Sequence, residues 1–277
     1  MERIEIRQNV DHTLCGYWVT SSHNDLKGTI LVCPAMGISA KFYINMSSWI
    51  AEQGYAILIL DYRGVGLSAP ATLKNFSADL NDWVADMEIA AGWLKHQHPQ
   101  LPCIFLGHSI GGQLFGFINN KDLFSNAVFI ATSTGYWFET KNRWKNFLLL
   151  KTIMPLSVFI WGFINAKFFK QGDNYPTGAG MQWRKWCMSP SYFGTETFRD
   201  TSNFYSFDKK ITSIWFTDDP IANAKNVPKL LSFYKQAFTQ SIQLIPSQFN
   251  LSKIGHTSFL SKRMKDKVWP VIVKHLD

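Results

Sequence analysis

The chain has 277 residues, of which 46% are hydrophobic and 17% charged, and this composition is typical of a folded globular protein rather than a disordered or fibrous one. The length allows one large hydrophobic core, so we expect a single domain with room for an insertion. The formal net charge of +8 is spread along the chain without a nucleic-acid-binding signature, which argues against nucleic acid as a ligand but allows weak attraction to anionic membrane surfaces or substrates.

Short apolar runs and longer amphipathic stretches alternate over the first half of the chain. Residues 56–60 are continuously apolar, as expected of a strand that is covered on both faces. Alternation of this kind predicts an α/β fold with a mostly parallel central sheet and helices on both faces. In chain order, the pattern predicts a leading antiparallel hairpin over 4–6 and 17–20, a strand over 29–33, a helix over 39–53, a strand over 55–60, a helix over 78–96, a strand over 103–106, a helix over 110–119 and a strand over 127–131.

The alternation is interrupted after residue 131 and resumes near residue 211. The interruption is rich in tryptophan and too long for an unstructured loop in a compact domain, so we expect an inserted helical cap over the strand ends. The resumed pattern predicts a strand over 211–217, a helix over 222–238, a strand over 242–245 and a closing helix over 269–276. The predicted organisation is one continuous fold, with an N-terminal core part over 1–134, a cap insertion over 135–208 and a C-terminal core part over 209–277.

The segment Gly107-His108-Ser109-Ile110-Gly111 directly follows one predicted strand and directly precedes a predicted helix. A G-x-S-x-G motif in this context predicts a sharp turn that exposes the serine hydroxyl above the sheet. The alternative is a glycine-rich packing turn with a capping serine, but it does not account for the acid and the base that follow in the chain. We therefore predict Ser109 as a nucleophile and His108 as its packing neighbour.

A nucleophilic serine needs a base, and a carboxylate must orient that base; on an α/β sheet the acid precedes the base in the chain. His256 lies in a loop after the last predicted strand, whereas His275 lies near the C-terminus on the closing helix. We predict His256 as the base. Asp218 and Asp219 both follow a predicted strand at the place expected for the acid, and we favour Asp219, with Asp218 as the alternative.

Acyl transfer also needs two backbone N–H groups that stabilise an oxyanion. Ile110, which follows the nucleophile, is predicted to supply one donor. The loop after the strand over 29–33 should supply the other, and position within Pro34-Ala35-Met36-Gly37 assigns it to Met36. The glycine-rich stretch at 61–68 matches neither a dinucleotide-binding nor a phosphate-binding motif, so we expect no cofactor and no metal.

The cysteines and the apolar segments indicate in which cellular compartment the protein is expected. The four cysteines lie far apart and are interpreted as buried thiols, and the first ten residues lack the apolar run of a secretion signal, so we expect a cytoplasmic protein. The apolar stretch over 147–169 is interrupted by Lys151, Pro155 and Lys167, and its unbroken part is too short to cross a bilayer. We expect a buried or surface-apolar helix there.

Four segments together resemble the α/β-hydrolase superfamily, in particular its serine aminopeptidase-like and monoacylglycerol-lipase-like branch. The resemblance covers the chain outside the predicted cap and implies the α/β-hydrolase fold, and in this branch the acid matches the second aspartate, Asp219. Many members have His-Gly where this chain has Pro34-Ala35, and with this loop the chain also resembles bacterial proteins known as predicted α/β-hydrolases. The four segments are Gly107-His108-Ser109-Ile110-Gly111-Gly112, Asp61-Tyr62-Arg63-Gly64-Val65-Gly66-Leu67-Ser68, Asp218-Asp219-Pro220 and Gly255-His256.

The expected function is hydrolysis of an ester or a related acyl bond in a small molecule, through an acyl-enzyme on Ser109. The aromatic residues of the predicted cap favour a hydrophobic acyl or aryl group. Thioesterase and amidase or peptidase activities are alternatives. A binding module without catalytic activity is an alternative of another class, since fold alone does not establish activity. The complete serine, aspartate and histidine set favours the enzyme, and the oligomeric state is left open.

Overall fold

The computed structural model describes residues 1–9, 12–21, 25–195 and 201–276. A single sheet of eight strands lies at its centre, in the order β1-β2-β4-β3-β5-β6-β7-β8. The first two strands form the predicted antiparallel hairpin, β2 is antiparallel to β4, and all other neighbours are parallel. The strands are β1 (Glu2–Asn9), β2 (His12–Val19), β3 (Gly28–Cys33), β4 (Tyr55–Asp61), β5 (Cys103–His108), β6 (Phe124–Ile130), β7 (Lys210–Phe216) and β8 (Phe238–Leu244).

Eight α-helices accompany the sheet in the described parts of the chain, and a π-helical turn joins α4 to α5. The long helix α2 begins at a capping motif in its sequence. Asp79 accepts a hydrogen bond from the N–H of Asp82 at 3.0 Å, and the Asp82 carboxylate accepts one from the N–H of Asp79 at 2.9 Å, which is a capping box. The helices are α1 (Ile44–Ala51), α2 (Leu80–Gln97), α3 (Ile110–Leu114), α4 (Arg143–Leu148), α5 (Met154–Trp161), α6 (Thr177–Met188), α7 (Asn226–Leu231) and α8 (Trp269–Val273).

The C-terminal third differs from the prediction. The predicted helix over 222–238 is wrong in length, because only α7 is α-helical and residue 238 already belongs to β8. Pro228 lies in the first turn of α7, where its missing N–H costs nothing, and so fixes a late start for this helix. β8 is an edge strand with mostly exposed side chains, and its sequence therefore lacks the apolar run that revealed the central strands.

The parallel strands bring the sequence motifs together. In a parallel set, every strand ends at the same edge of the sheet, so the loops after β3, β4, β5, β6 and β7 share one edge. The Pro-Ala-Met-Gly loop, the glycine-rich loop, the G-x-S-x-G turn and the aspartate pair follow four of these strands. The functional site is therefore expected at this edge of the sheet.

The chain between β6 and β7 carries α4, α5 and α6, and it packs against the rest of the fold through both polar and aromatic contacts. The N–H of Leu80 donates to Gln182 Oε1 at 2.8 Å, and the N–H of Ala179 donates to the Ala78 carbonyl at 2.9 Å. The Trp186 ring stacks on Phe117, with ring centroids 5.7 Å apart. Within the described ranges, no helix is both long and apolar enough to cross a membrane.

Candidate active site

Ser109 lies at the turn between β5 and α3 in a strained backbone conformation. Its φ is 53° and its ψ is −116°, a region that residues with a side chain rarely adopt. The turn also needs glycine on both sides. A Cβ on Gly107 would lie 2.6 Å from Gly112 Cα, and one on Gly111 would lie 2.2 Å from the Cys33 carbonyl oxygen. The G-x-S-x-G motif is thus explained by close backbone approach, as predicted for a nucleophile turn.

The structure brings Ser109, His256 and Asp219 into one chain of hydrogen bonds. His256 Nε2 lies 3.0 Å from Ser109 Oγ, and His256 Nδ1 lies 2.7 Å from Asp219 Oδ2. A carboxylate next to Nδ1 keeps the proton on that nitrogen, so Nε2 carries the lone pair that accepts the serine proton. Three residues far apart in the sequence therefore meet in the geometry of a serine, its base and the acid that orients it.

The two neighbouring aspartates have different partners. The Asp219 side chain is fully buried, and its second oxygen, Oδ1, accepts hydrogen bonds from the N–H groups of Ile221 at 2.7 Å and Ala222 at 3.1 Å. Asp218 Oδ2 instead accepts from the N–H groups of Ile254 and Gly255, at 3.0 and 2.9 Å. Asp219 contacts the imidazole, whereas Asp218 holds the loop that carries it.

The backbone donors expected for an oxyanion lie on adjoining segments. The Cα of Gly111 packs against the Cys33 carbonyl, so the loop after β3 lies against the first turn of α3. The N–H of Ala35 already donates to Tyr43 Oη at 2.9 Å. The N–H of Met36 has no acceptor among the described residues, and that of Ile110 opens α3, where no intrahelical acceptor exists. Met36 and Ile110 are therefore the available donors.

A buried relay that the sequence did not reveal joins the two loops of the site. The N–H of Ala35 donates to Tyr43 Oη, whose own proton then points to His108 Nδ1 at 2.6 Å. The neutral His108 therefore carries its proton on Nε2, which donates to the His256 carbonyl at 2.9 Å. Burial, with the nearby His256, lowers the pKa of His108 well below its usual range. No local motif marks Tyr43, which lies in a predicted helix.

The glycine-rich loop after β4 is held by its own polar side chains. Asp61 is buried and accepts hydrogen bonds from the N–H groups of Ala40 at 2.7 Å and Leu67 at 2.9 Å, and burial raises its pKa to about 6. Arg63 binds the buried Asp86 with Nη2 at 2.6 Å from a carboxylate oxygen. These contacts hold the loop in place after β4.

Neither the cysteines nor other potential ligands form a metal site in the described ranges. The free cysteines Cys33, Cys103 and Cys187 are buried and Cys15 is half-buried. Across residues 1–9, 12–21, 25–195 and 201–276, no group of three or more His, Cys, Asp and Glu side chains is placed to hold a metal ion.

Comparisons with known proteins agree with the fold. Residues 24–159 match the family described as Serine aminopeptidase, S33. A segment of 96 residues is 30% identical to a monoacylglycerol lipase of Mycolicibacterium smegmatis, which covers 35% of this chain and 34% of that protein. The chain thus spans about a third of the length of that curated relative.

Solved structures of similar shape extend over nearly the whole chain. A soluble variant of monoglyceride lipase from Saccharomyces cerevisiae has a TM-score of 0.69 and 14% identity, covering 98% of this chain and 93% of that one. A thermostable carboxyl esterase from Bacillus coagulans has a TM-score of 0.63 and 13% identity, covering 99% and 97%. A monoacylglycerol lipase from Paleococcus ferrophilus has a TM-score of 0.64 and 12% identity, covering 95% and 98%. The sheet and these likenesses together confirm the predicted resemblance, and the chain has the α/β-hydrolase fold.

Proposed function

We propose that the chain is a serine hydrolase that cleaves a carboxylic ester with a hydrophobic acyl group. The observation that carries this proposal is the continuous hydrogen-bonded line from Ser109 Oγ through the His256 imidazole to the buried Asp219 carboxylate. The similarity to a monoacylglycerol lipase and to esterase structures favours an ester over the thioester and amide alternatives. It also favours an enzyme over a binding module.

The proposed reaction proceeds through an acyl-enzyme. His256 Nε2 takes the Ser109 proton as Oγ attacks the carbonyl carbon, and Asp219 stabilises the imidazolium that forms. The N–H groups of Ile110 and Met36 bind the oxyanion of the tetrahedral intermediate. His256 then protonates the leaving alcohol. In the second half of the reaction, His256 takes a proton from water as the water attacks the acyl carbon, and it returns a proton to Ser109 Oγ as the acid is released.

The segment over 135–208 is proposed as a cap that covers the acyl part of the substrate. Its buried aromatic side chains, including Trp186, Tyr192 and Phe193, pack on the core next to α3. Tyr192 Oη donates to Gln113 Oε1 at 2.9 Å, which ties the segment to the helix behind Ser109. An apolar wall this near the nucleophile suits a hydrophobic acyl chain.

The same segment carries the surface on which we propose weak membrane association. Phe159 and Phe168 are 87% and 67% exposed, and Trp144 is 65% exposed, although large apolar side chains are normally covered. The Arg143 guanidinium lies 5.1 Å from the Phe138 ring centroid and 5.8 Å from that of Trp144. Aromatic side chains interleaved with cations suit the interface of an anionic lipid surface.

The nucleophile is tested with a fluorophosphonate probe, which labels an activated serine covalently. We expect labelling of the wild-type protein and hydrolysis of p-nitrophenyl esters, with both lost in Ser109→Ala. Ser232→Ala is the control, because Ser232 is exposed and its hydroxyl donates to the Lys229 carbonyl at 2.8 Å rather than to the imidazole. Equal labelling of wild type and Ser109→Ala would reject the proposal.

A further inference from the structure

A groove of about 780 Å³ is lined in part by the loop that follows His256. Its walls come from the loop after β3 with the start of α1, from the inserted segment and from the loop after His256. We define this basic groove by Ile38, Lys41, Lys170, Gly172, Thr257 and Arg263. Its walls belong to three separate parts of the chain, so only the folded protein forms it.

The charge of the basic groove is positive. Three cationic side chains line it, Lys41, Lys170 and Arg263, and no described residue that lines it is an aspartate or a glutamate. Lys41 Nζ is partly neutralised by Asp173, whose carboxylate lies 3.5 Å away. Lys170 Nζ has no hydrogen-bond or ion-pair partner among the described residues, and Arg263 uses one nitrogen for the Lys253 carbonyl at 3.4 Å. Most of the donors of Lys170 and Arg263 are therefore available to a ligand.

The groove is tied to the oxyanion loop on its cap side. The N–H of Asp173 donates to the Gly37 carbonyl at 2.6 Å. A Cβ on Gly172 would lie 2.2 Å from that same carbonyl oxygen, so the two backbones are in direct contact. The wall that carries Lys170 is thus fixed to the loop that offers Met36 as an oxyanion donor.

One wall of the groove belongs to the loop that carries the proposed base. Thr257, which lines it, directly follows His256. In the proposed reaction the leaving group receives its proton from His256 Nε2, so it must lie on the His256 side of the scissile bond. The part of the substrate that extends into the basic groove is then the alcohol part and not the acyl chain.

We propose that the basic groove binds an anionic group, a phosphate or a carboxylate, on the alcohol part of the ester. Lys170 and Arg263 supply the charge, and the hydroxyl and amide side chains of Thr257, Ser258 and Gln171, which also line it, are suited to hydrogen-bond the same oxygens. The inference rests on the proposed function, because it assigns the leaving-group side from the role of His256. It adds the chemical class of the alcohol, which the superfamily resemblance leaves open.

The test compares two esters that differ in charge on the leaving group alone. These are the butyrate esters of 4-hydroxy-3-nitrobenzoic acid and of the corresponding carboxamide. We expect wild type to have the higher kcat/KM for the carboxylate ester, by about five- to tenfold, and Lys170→Gln/Arg263→Gln to hydrolyse the two esters with similar kcat/KM. High ionic strength should reduce the preference in the same way.

The matched control is Lys27→Gln/Lys274→Gln, which removes the same number of positive charges. Both lysines are exposed and lie outside the groove. Lys27 directly precedes β3, and Lys274 lies near Leu276, whose carbonyl accepts a hydrogen bond from Asn126 near the start of β6. The preference of this control should equal that of wild type. An equal loss of the preference in the control and in the groove variant would show that only net charge matters, and it would overturn the inference. A wild-type protein without the preference would also overturn it.

Binding of the product 4-hydroxy-3-nitrobenzoate, followed by calorimetry, separates this inference from the proposed function. The measurement needs no turnover, and it is made on wild type and on Ser109→Ala. If the product binds to wild type and to Ser109→Ala but not to Lys170→Gln/Arg263→Gln, the inference about the groove is supported even if no ester is cleaved. Equal binding to wild type and to the groove variant overturns the inference even if the esterase activity is confirmed.

Discussion

Asp218 and Asp219 are neighbours of the same residue type after the same strand, and the residues alone do not separate their roles. The sequence favoured Asp219 with Asp218 as the alternative. In the structure, Asp219 Oδ2 lies 2.7 Å from His256 Nδ1, while Asp218 accepts hydrogen bonds from the backbone of 254–255. The two residues are adjacent in the chain, but the turn after β7 points their side chains in different directions.

This difference predicts unequal effects of the same chemical change. Asp219→Asn should lower kcat by about 10⁴-fold, because an amide next to Nδ1 favours the wrong imidazole tautomer. Asp218→Asn keeps one acceptor oxygen for the loop, and we expect it to lower kcat less than tenfold. Steady-state ester hydrolysis by both variants, with circular dichroism to confirm folding, measures the contrast. The reverse order would assign the acid to Asp218.

At the scale of elements, the turn at Ser109 depends on packing between α3 and the loop after β3. Gly111 lies in α3 where a Cβ would be 2.2 Å from the Cys33 carbonyl oxygen, a backbone atom that cannot move alone. Gly92 lies in α2, is exposed, and has no atom within 4 Å of a Cβ built on it. The two helical glycines therefore serve as a matched pair.

We expect Gly111→Ala to lower the free energy of unfolding by about 3 kcal/mol, because the added methyl group displaces the backbone of the neighbouring loop. Gly92→Ala should raise it by about 0.5–1 kcal/mol, since alanine loses less backbone entropy in a helix. Denaturant titrations of both variants test the pair. A neutral Gly111→Ala would show that the two segments are not in contact.

Elements differ in how well their sequence reports them. The central strands are buried on both faces, so their apolar runs predicted them within a few residues of the observed bounds. The helix predicted over 110–119 is shorter, because α3 ends at Leu114 and a 3₁₀ turn follows. Residues in and after α3 are buried on all sides, so no polar face marks where the helix ends.

At the scale of the whole molecule, the buried relay makes stability depend on pH. Burial, with the nearby His256, lowers the pKa of His108. The folded chain therefore resists protonation of this side chain, whereas the unfolded chain binds the proton below the ordinary pKa of about 6.5. Stability from this group is present above pH 6.5 and is lost as the pH falls below it, by at most about 1.4 kcal/mol per pH unit.

The measurement compares wild type with His108→Gln, which cannot be protonated. We expect the free energy of unfolding of the variant to fall less steeply than that of wild type as the pH is lowered from 6.5. Asp61 acts in the opposite direction. Burial raises the pKa of Asp61 to about 6, so its contribution to the free energy of unfolding increases as the pH falls through 6. Wild type and His108→Gln share this contribution, so it cancels in the difference between their profiles. Parallel pH profiles would contradict a neutral, buried His108.

The exposed aromatic face of the insertion makes a second prediction for the whole molecule. Phe159→Ser/Phe168→Ser should reduce co-sedimentation with phosphatidylglycerol vesicles severalfold and leave hydrolysis of a short, water-soluble ester unchanged, because both side chains point outward. Phe238→Ser is the matched control, since Phe238 is 77% exposed on the edge strand β8, outside the insertion. Vesicle binding that is unaffected by the double change would reject this surface.

The sequence by itself determined the alternation of strands and helices, the sharp turn at Ser109 and the loop positions of Met36, Asp219 and His256. These features are local: apolar runs report burial, and glycines at fixed spacing report a close backbone turn. The cap boundaries at 135–208 stay a prediction.

Only the tertiary structure decided which side chains touch. It separated Asp218 from Asp219, placed Tyr43 and His108 between two loops, and assembled the basic groove from three distant segments. The physical reason is that contacts between residues 36 to 148 positions apart depend on strand order and on side-chain direction after a turn. Neither quantity leaves a periodic signal in the residues themselves.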